Sequence, residues 1–480
     1  MKKHKINQGG RKMVDILIKN ATIVTVNKSR EVFFDGAMAI KDDRIVAVGP
    51  SRDVLNEYSE AKKVIDANGK VIFPGFINTH NHLFQTLLKG LGDDMVLKDW
   101  LATMTFPAAK YITAEDTYLA AMLGCLEGIH SGITTMVDYM YPHNRENLSD
   151  GIIDAYKELG IRGILGRGCM NTGAQFGVPN EIMQDVETVE KDVRRLFEKH
   201  HNSKNGRIKI WVAPAAMWSN TKEMLQMLWK VTNEYNSHFT VHISETPFDR
   251  EATKELHGKV DIELLEDLGI VGPNVVMVHC VYLTEEDMNL AKKYDMKVSH
   301  NTASNMYLSS GVAPVPEMLK KGITVSLGVD GAASNNSQDM VELMKLTALQ
   351  HKVNKLDPLA ISAEKVLELA TIDGARAVGL EDEIGSLEVG KKADLIIFNP
   401  LLSPKAIPLH NPVSTLVYSS SMHNIEGMIV DGKIIMEDSK VLTVKDEKEI
   451  LMRVQEAADN LCERGKITNR KEGHTWNSLY

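Results

Sequence analysis

The sequence is poor in cysteine and lacks any long hydrophobic segment. Its 480 residues include four cysteines, which lie far apart at positions 125, 169, 280 and 462 and form no Cys-x-x-Cys pair. This spacing argues against both a disulfide framework and a thiolate zinc site. No stretch approaches the roughly 20 apolar residues of a membrane span, and the basic residues 1–12 are not followed by the apolar region of a secretory signal. The sequence therefore predicts a cytoplasmic protein with no membrane partner.

An excess of basic residues is also absent. The chain has 55 Lys and Arg against 64 Asp and Glu, a net charge of −9 with His neutral, whereas a protein that binds nucleic acid needs clustered positive charge. A composition of 43% hydrophobic and 25% charged residues excludes a disordered chain and a fibre. At about 150 residues per domain, the length predicts two or three domains, or one barrel-sized domain with an accessory part.

Both ends of the chain carry short apolar runs with alternating polarity. Residues 14–48 contain several such runs, rich in β-branched residues and separated by the turn-forming residues Asn, Asp and Gly. Similar runs recur at residues 393–398 and 427–435. We interpret the two sets as one small β-sandwich domain that is built from residues 13–70 and 384–442.

The middle of the chain alternates between apolar runs and stretches of helical spacing. The eight apolar runs lie at residues 71–77, 133–137, 161–165, 208–213, 239–243, 275–278, 296–299 and 323–329. Strand and helix repeated eight times is the pattern of an α/β fold of the TIM type, a parallel (β/α)8 barrel, which we place at residues 71–383. The second interpretation is an open doubly wound sheet, although no GxGxxG motif follows the first run. Residues 443–480 are predicted to form a tail, helical at first and then polar.

Side chains that can bind a metal or transfer a proton follow several of these runs directly. They are His80 and His82 after the first run, His242 and Glu245 at the fifth, His279 at the sixth, His300 at the seventh and Asp330 at the eighth. His80 and His82 are two residues apart, so an extended chain directs both rings to the same face. Because the strand ends of a barrel converge at one mouth, where such folds keep their active sites, we expect these groups to meet.

The predicted cluster has the composition of a catalytic metal site. Imidazoles with one carboxylate suit Zn²⁺, with Fe²⁺ or Mn²⁺ as alternatives. Water at such a site loses its proton near neutral pH and becomes a nucleophile, and Glu245, three residues after His242, is well placed to shuttle a proton. Two structural roles stay open: Glu245 could pair with Arg250, and Asp330 could cap the segment that follows it.

The strand-end motifs resemble those of the amidohydrolase superfamily, and within it the group of methylthioadenosine/S-adenosylhomocysteine deaminases, 8-oxoguanine deaminases and triazine hydrolases. The resemblance covers nearly the whole chain. Its motifs are Pro74-Gly75-Phe76-Ile77-Asn78-Thr79-His80-Asn81-His82, Val241-His242-Ile243-Ser244-Glu245-Thr246, Val278-His279, Ser299-His300-Asn301 with Ser304-Asn305, Leu327-Gly328-Val329-Asp330-Gly331, and Gly385-Ser386-Leu387-Glu388-Val389-Gly390-Lys391-Lys392-Ala393-Asp394-Leu395.

The resemblance implies a role for each of the strand-end residues. A single divalent metal would be held by His80, His82, His242 and Asp330. Glu245 would be the proton shuttle, His279 would orient the activated water or the tetrahedral intermediate, and Asp330 would take the proton from water. The implied reaction is attack of hydroxide on an electron-poor ring carbon, protonation of the ring nitrogen, and loss of ammonia or another leaving group. No Lys ends the fourth run, so a binuclear centre with a carboxylated lysine is not expected.

Further residues are predicted to contact the substrate. Gln85 and Trp100 lie in the segment after the first run, and Trp218, just beyond the fourth, could stack on a flat ring. Core packing is the alternative for the two aromatic residues. Arg162 or Arg167 could contact a polar substituent or form a structural ion pair, and Asn305 follows the deaminase motif closely.

The function predicted in this way is a zinc-dependent hydrolytic deamination of an amino-substituted N-heterocycle of purine type, such as methylthioadenosine or S-adenosylhomocysteine. Two departures from the deaminase motif weaken the nucleoside assignment, because residues 106–109 lack the expected acid and no His follows Pro214. The alternatives are a triazine chlorohydrolase or aminohydrolase, an 8-oxoguanine or pterin deaminase, and a metal-free scaffold protein. Homo-oligomerisation is expected by analogy.

Overall fold

The structure, a computed structural model, describes residues 13–468. The predictions for residues 1–12 and for the polar end of the tail, 469–480, lie outside the described residues. None of the helices between residues 13 and 468 is long and apolar enough to cross a bilayer.

The described residues form strands at both chain ends and through the middle. The strands are β1 (Met13–Val24), β2 (Val32–Lys41), β3 (Arg44–Pro50), β4 (Glu60–Asp66), β5 (Val71–Pro74), β6 (Phe76–Asn78), β7 (Ile133–Met140), β8 (Arg162–Cys169), β9 (Ile208–Pro214), β10 (Phe239–Ile243), β11 (Val275–His279), β12 (Lys297–His300), β13 (Val325–Leu327), β14 (Leu395–Phe398), β15 (Ile425–Val430), β16 (Lys433–Glu437) and β17 (Lys440–Val441).

Most of the α-helices lie between the strands of the middle region. They are α1 (Ser51–Glu57), α2 (Leu97–Trp100), α3 (Phe106–Tyr111), α4 (Ala114–His130), α5 (Leu148–Leu159), α6 (Val186–His200), α7 (Lys222–Glu234), α8 (Pro247–His257), α9 (Asp261–Asp267), α10 (Glu285–Lys293), α11 (Thr302–Tyr307), α12 (Val315–Lys321), α13 (Met340–Lys355), α14 (Ala363–Ala370), α15 (Ile372–Ala377), α16 (Pro412–Tyr418) and α17 (Glu447–Gly465). Several begin with a capping box, as at Thr113, whose hydroxyl accepts from the backbone N–H of Asp116 (3.2 Å).

Strands β6 to β13 form the predicted parallel barrel. Neighbours in sequence are neighbours in the sheet from β6 through to β13. The two end strands meet through backbone hydrogen bonds, from Thr79 N to Leu327 O (3.0 Å) and from Asp330 N to His80 O (3.0 Å). The predicted fold class is therefore confirmed, and the doubly wound alternative, which leaves the sheet open, is not observed.

The first predicted barrel strand is in fact two strands in two sheets. Residues Val71–Pro74 (β5) pair with β14 and β1 in the sheet of the chain ends, and only Phe76–Asn78 (β6) pairs with β7 of the barrel. Gly75 separates them, and a Cβ at this position would lie 2.1 Å from the hydroxyl of Thr134. The sequence does not show this division, because both strands are fully buried and the apolar residues continue on either side of Gly75.

The remaining strands form a separate sheet that draws on both chain ends, as predicted. Its order is β17-β16-β15-β14-β5-β1-β2-β3, with β4 beside β1. One apolar cluster unites side chains from the two ends, among them Ile18, Met38, Leu395 and Ile429. The small domain is thus completed only when the chain returns after the barrel.

A buried ion pair joins the barrel to this sheet. Arg162, the first residue of β8, donates from Nε and Nη2 to the two carboxylate oxygens of Asp394 (2.9 and 3.1 Å). Asp431 lies 3.6 Å from the same guanidinium. The three side chains are at most 5% exposed. Arg162 therefore holds two buried carboxylates of the small domain against the barrel.

Replacing Arg162 with Ala is expected to destabilise the protein by about 3–5 kcal/mol, because it leaves the buried carboxylate of Asp394 without its cation. Unfolding in urea, followed by intrinsic fluorescence, measures the change in free energy. Arg194→Ala is the matched control, since Arg194 pairs with Glu190 and Glu234 at the surface and such pairs contribute about 0–1 kcal/mol. Equal losses in the two variants would contradict a structural role for Arg162.

The helical part of the C-terminal tail packs against the barrel. Helix α17 contacts α3 and α4, with Val454, Leu461 and Cys462 buried. An ion pair from Arg464 to Asp116 fixes its end. The described part of the tail therefore belongs to the compact body of the protein.

Candidate active site

The structure brings the strand-end residues together at the mouth of the barrel. The Nε2 atoms of His80 and His82 lie 3.2 and 3.5 Å from Oδ1 of Asp330. The Nε2 atom of His242 lies 3.2 Å from that of His82. Two groups of potential ligand atoms, one of His80, His82 and Asp330 and the other of His80, His242 and His279, each fall within 4.8 Å of one another.

Backbone carbonyls fix the tautomers of two of these histidines. Nδ1 of His82 donates to the carbonyl of Tyr139 (2.7 Å), and Nδ1 of His242 donates to the carbonyl of Ala215 (2.6 Å). A carbonyl can only accept, so the proton of each neutral ring is on Nδ1 and the lone pair is on Nε2. The two lone pairs are therefore directed at the same point, as expected of metal ligands that are oriented by outer partners.

Burial favours the neutral form of His80, His82 and His242. Burial, helped by the neighbouring His80 ring, lowers the pKa of His82 to about 3, and burial lowers the pKa of His242 well below its usual value. Two neutral nitrogens that face each other at 3.2 Å repel unless a cation lies between them. The fully buried His80 has no well-oriented hydrogen-bond partner at either ring nitrogen. The donor set thus fits one divalent ion such as Zn²⁺.

The turns that follow the barrel strands hold these side chains in place through an unusual backbone. Ser244, His279, Cys280 and Asp330 all have positive φ, between 47° and 67°. This region is costly for residues with a side chain and is found where the surrounding structure enforces it, often at functional sites. The sharp turns direct His279 and Asp330 into the mouth of the barrel.

The carboxylate of Asp330 both caps the turn that follows it and faces the histidines of the cluster. Its Oδ1 accepts from the backbone N–H of Gly331 (2.7 Å), and its Oδ2 accepts from the hydroxyl of Ser334 (3.2 Å). It therefore does cap the following turn, as one interpretation of the sequence held. The same Oδ1 faces His80 and His82, so the local contacts orient the carboxylate toward the cluster.

Glu245 and His279 form a buried pair beside the cluster. Oε2 of Glu245 lies 3.6 Å from Nε2 of His279, and Oε1 accepts from the hydroxyl of Ser310 (3.0 Å). Nδ1 of His279 donates to Oδ1 of Asn305 (2.9 Å). Burial raises the pKa of Glu245 to about 7. Burial opposes protonation of His279, but the carboxylate of Glu245 holds the pKa of that ring above its usual value.

The alternative pairing of Glu245 with Arg250 is not observed. Nη1 of Arg250 donates to Oδ2 of Asp287 (2.8 Å) and to the carbonyl of Tyr282 (3.1 Å). Arg250 thus holds the start of α10, and the Glu245 carboxylate remains with His279 and Ser310.

A partly open cavity lies beside the cluster, and both the predicted metal ligands His82, His242 and Asp330 and apolar side chains line it. Its walls include Glu245 and His279, the predicted substrate contacts Gln85, Trp100 and Trp218, and seven residues that the sequence analysis did not single out: Leu97, Leu101, Tyr141, Met170, Asp249, Leu308 and Ser334.

The two tryptophans of the wall are held by hydrogen bonds from their indole nitrogens. Nε1 of Trp218 donates to Oδ1 of Asp249 (2.9 Å), and Nε1 of Trp100 donates to the carbonyl of Ala333 (2.9 Å). Both rings are 4% exposed and line the cavity. The cavity wall is therefore rigid on these two sides.

Three other predicted substrate contacts do not line the cavity. Asn305 is the hydrogen-bond partner of His279 rather than a wall residue. Arg162 holds Asp394 at the opposite end of its strand. Arg167 donates to Asp192 (2.9 Å), and its guanidinium is 1% exposed. The ion-pair alternative therefore describes both arginines.

His300, the remaining strand-end histidine, also turns away from the cluster. Its Nε2 contacts the hydroxyl of Thr302 (2.7 Å) and Nε2 of His351 (3.2 Å). Burial lowers the pKa values of both rings. The expectation that His300 joins the other histidines is corrected, because its ring packs between β12 and α13.

Besides Ser334, three polar residues of the site region were not predicted from the sequence. Tyr141 follows β7, whose observed end at Met140 is three residues beyond the predicted one. Asp138 on the same strand accepts from the N–H of Leu83 (2.6 Å) and so fixes the chain next to His82; burial raises its pKa to about 7. Asp249 lies in the first turn of α8. An extension of the second predicted apolar run by a few residues would have included Asp138 and reached Tyr141. Asp249 could not be found in this way, because in the sequence it has only the pattern of a helix cap.

Comparison with known proteins places this geometry in a family. A model of the amidohydrolase family matches residues 71–435. The 5'-deoxyadenosine deaminase of Methanobrevibacter smithii is 38% identical over 452 residues, which cover 94% of this chain and 99% of the relative. The 5-methylthioadenosine/S-adenosylhomocysteine deaminase of Thermoanaerobacter pseudethanolicus is 36% identical over 451 residues, 94% of this chain and 100% of the relative.

Solved structures share the fold over nearly the whole chain. An adenosine deaminase from Xanthomonas campestris with bound zinc has a TM-score of 0.88 and 25% identity, covering 95% of this chain and 100% of that protein. The atrazine chlorohydrolase of Arthrobacter aurescens complexed with zinc has a TM-score of 0.84 and 24% identity, covering 92% and 100%. The second likeness is one of fold alone.

Proposed function

Because the chain belongs to the amidohydrolase family, we propose that it is a metal-dependent deaminase that hydrolyses the amino group of an adenosine-type nucleoside. The observation that carries the proposal is the meeting of three histidines and an aspartate beside the Glu245–His279 pair, at the wall of a cavity. The names of relatives at 36–38% identity over more than nine-tenths of the chain support the substrate class.

The proposed metal ligands are His80, His82, His242 and Asp330. Three imidazole nitrogens and one carboxylate oxygen form a donor set that zinc accepts, with Fe²⁺ or Mn²⁺ as alternatives. An ion bound there would supply hydroxide as a nucleophile near neutral pH. Zinc is the first choice because the similar Xanthomonas deaminase contains it.

Glu245 is proposed to move the proton in the reaction. Its carboxyl lines the cavity and is held by Ser310, so Oε2 can carry a proton toward a ring nitrogen of a bound heterocycle. His279 lies 3.6 Å away and is fixed in turn by Asn305, which leaves its Nε2 directed at the cavity to orient the reacting oxygen. Asn305 is thus a positioning residue.

The heterocycle is proposed to lie against Trp218, with Gln85 and Trp100 on the other walls. A flat apolar ring gains from contact with a fixed aromatic side chain. Residues 106–109 and 215–216 carry no acid or histidine, so sugar hydroxyls would depend on other groups of the cavity, of which Tyr141 and Ser334 have hydroxyls.

The test combines metal analysis with a substrate panel. We expect about one divalent ion per chain, with ammonia release from adenosine, 5'-deoxyadenosine or methylthioadenosine in preference to guanine, 8-oxoguanine, a pterin and aminated triazines. Removal of the ion by a chelator should abolish ammonia release, and added zinc should restore it. Chloride release from a chlorotriazine with no ammonia from nucleosides would contradict the proposal, and a metal-free, inactive protein would favour the scaffold alternative.

A cytoplasmic location and homo-oligomeric assembly stay predictions from the sequence. The four cysteines are buried and form no disulfide with one another, as is usual for proteins in reducing compartments. Light scattering coupled to size-exclusion chromatography would measure the assembly state.

A further inference from the structure

An apolar groove continues from the site cavity toward the surface. It shares Leu97, Leu101 and Trp218 with the cavity, so the two spaces adjoin each other at these side chains. Its other walls come mainly from Val96, Phe106, Phe176, Pro247 and Phe248. A substrate whose ring lies at Trp218 could therefore extend a substituent into the groove without leaving the protein surface.

Three aromatic rings give the groove a preformed wall. The centroids of Phe176 and Phe248 lie 5.6 Å apart, and those of Trp218 and Phe248 lie 5.4 Å apart, in edge-to-face arrangements. Phe176 also meets Trp218 at 5.8 Å. Because Asp249 fixes the indole of Trp218, the set of rings can receive an apolar group with little rearrangement.

The groove offers no carboxylate partner for an ammonium group. Lys98 is the single charged residue among those that line it, and no carboxylate does. Asp249 lines the neighbouring cavity, but its Oδ1 accepts from Trp218, and its Oδ2 accepts from the backbone N–H and the hydroxyl of Thr246 (2.7 and 2.9 Å). An ammonium group in the groove would lose its hydration without gaining a free carboxylate.

We propose that this groove selects nucleosides whose 5' carbon carries an uncharged, apolar substituent larger than methylthio, over nucleosides with a zwitterionic amino-acid tail. The inference rests on the proposed function, since it assumes that the heterocycle is bound beside Glu245. Each additional methylene buried in the groove should raise kcat/KM about fourfold. Phe176 and Phe248 are the residues that determine this preference.

The first test is a series of 5'-substituted adenosines. We expect kcat/KM to rise from 5'-deoxyadenosine through methylthioadenosine to the 5'-butylthio compound, with S-adenosylhomocysteine below methylthioadenosine. Phe248→Ala should flatten this rise, so that the loss in kcat/KM grows with the length of the 5' substituent, and Phe248→Leu should retain part of the rise. Phe34→Ala is the matched control, because Phe34 is 73% exposed on the small domain. A flat series in the unmodified protein, or a preference for S-adenosylhomocysteine, would overturn the inference.

A binding measurement separates this inference from the proposed function. The affinities of inosine and of 5'-butylthio-5'-deoxyinosine, the expected products, are compared by calorimetry in the protein as purified. Tighter binding of the butylthio compound by at least about tenfold, lost in Phe248→Ala, supports the groove even if no nucleoside in the panel is deaminated. Equal affinities would overturn it even if deamination is observed.

Discussion

Glu245→Gln is expected to lower kcat/KM by about 10²–10⁴-fold, the contribution of a positioned acid–base group, and to leave the metal content unchanged. The amide has the shape of the carboxyl and can still accept from Ser310, so the cavity keeps its form. It cannot gain and lose a proton in the neutral pH range. The loss should therefore fall on kcat more than on KM, because ground-state contacts remain.

The control for this substitution is Glu251→Gln, the same chemical change on the exposed side of α8. It should leave both kinetic constants within error of the unmodified protein. Steady-state kinetics with the best nucleoside of the panel and metal analysis of each variant give the two readouts. Near-normal turnover of Glu245→Gln at full metal content would remove Glu245 from the chemistry.

The chemistry of the site was visible in the sequence because it follows the repeat of the fold. The apolar runs mark the barrel strands, and the residues that carry the chemistry lie at or shortly after the strand ends: His279 is the last residue of β11, and Asp330 lies in the turn after β13. The family resemblance predicted from these motifs is confirmed by the match over residues 71–435. Local signals were thus enough for the fold class and for the cluster of strand-end side chains.

Partners distant in sequence were not predictable in this way. An arginine that contacts the substrate and one that forms a structural ion pair look the same in the sequence. Only the packing of β8 against the small domain brings Asp394 to Arg162. His300 ends a strand just as His279 does, but its ring turns toward His351 on α13. The direction of a side chain at the end of a strand depends on the backbone turn that follows. No local sequence pattern specified that turn.

The groove was also not predictable from local sequence patterns, because it depends on contacts between distant segments. Its walls come from Trp218 and from residues 96–106, 174–177 and 246–248, which together lie after four different barrel strands. Within each segment the aromatic residues are indistinguishable from core residues, and Trp218 was equally open to either interpretation. Their common function as a wall exists only once the barrel has closed and the loops meet above it.

The second large effect is expected at Asp330. Asp330→Asn should lower the affinity for the divalent ion by more than about 100-fold, since loss of an outer hydrogen-bond partner alone typically costs 10–100-fold. The amide oxygen can still accept from the N–H of Gly331, so the turn is retained and the fold should not suffer. What is lost is the negative charge that faces His80 and His82. Deaminase activity should fall with the metal content.

A graded series distinguishes a ligand from a residue that merely caps its turn. Ser334→Ala removes the hydroxyl that holds Oδ2 of Asp330 and should weaken metal binding by about 10–100-fold, while Asp382→Asn, at an exposed site, should have no effect. Competition with a chromophoric chelator measures the three affinities, and thermal unfolding of the metal-free proteins measures their stability.

The two roles of Asp330 predict different results. If Asp330 only caps the turn, Asp330→Asn keeps its metal, and the stability of the metal-free protein is the quantity that changes. If it is a ligand, the order of metal loss is Asp330→Asn, Ser334→Ala, Asp382→Asn, with the metal-free proteins nearly equal in stability.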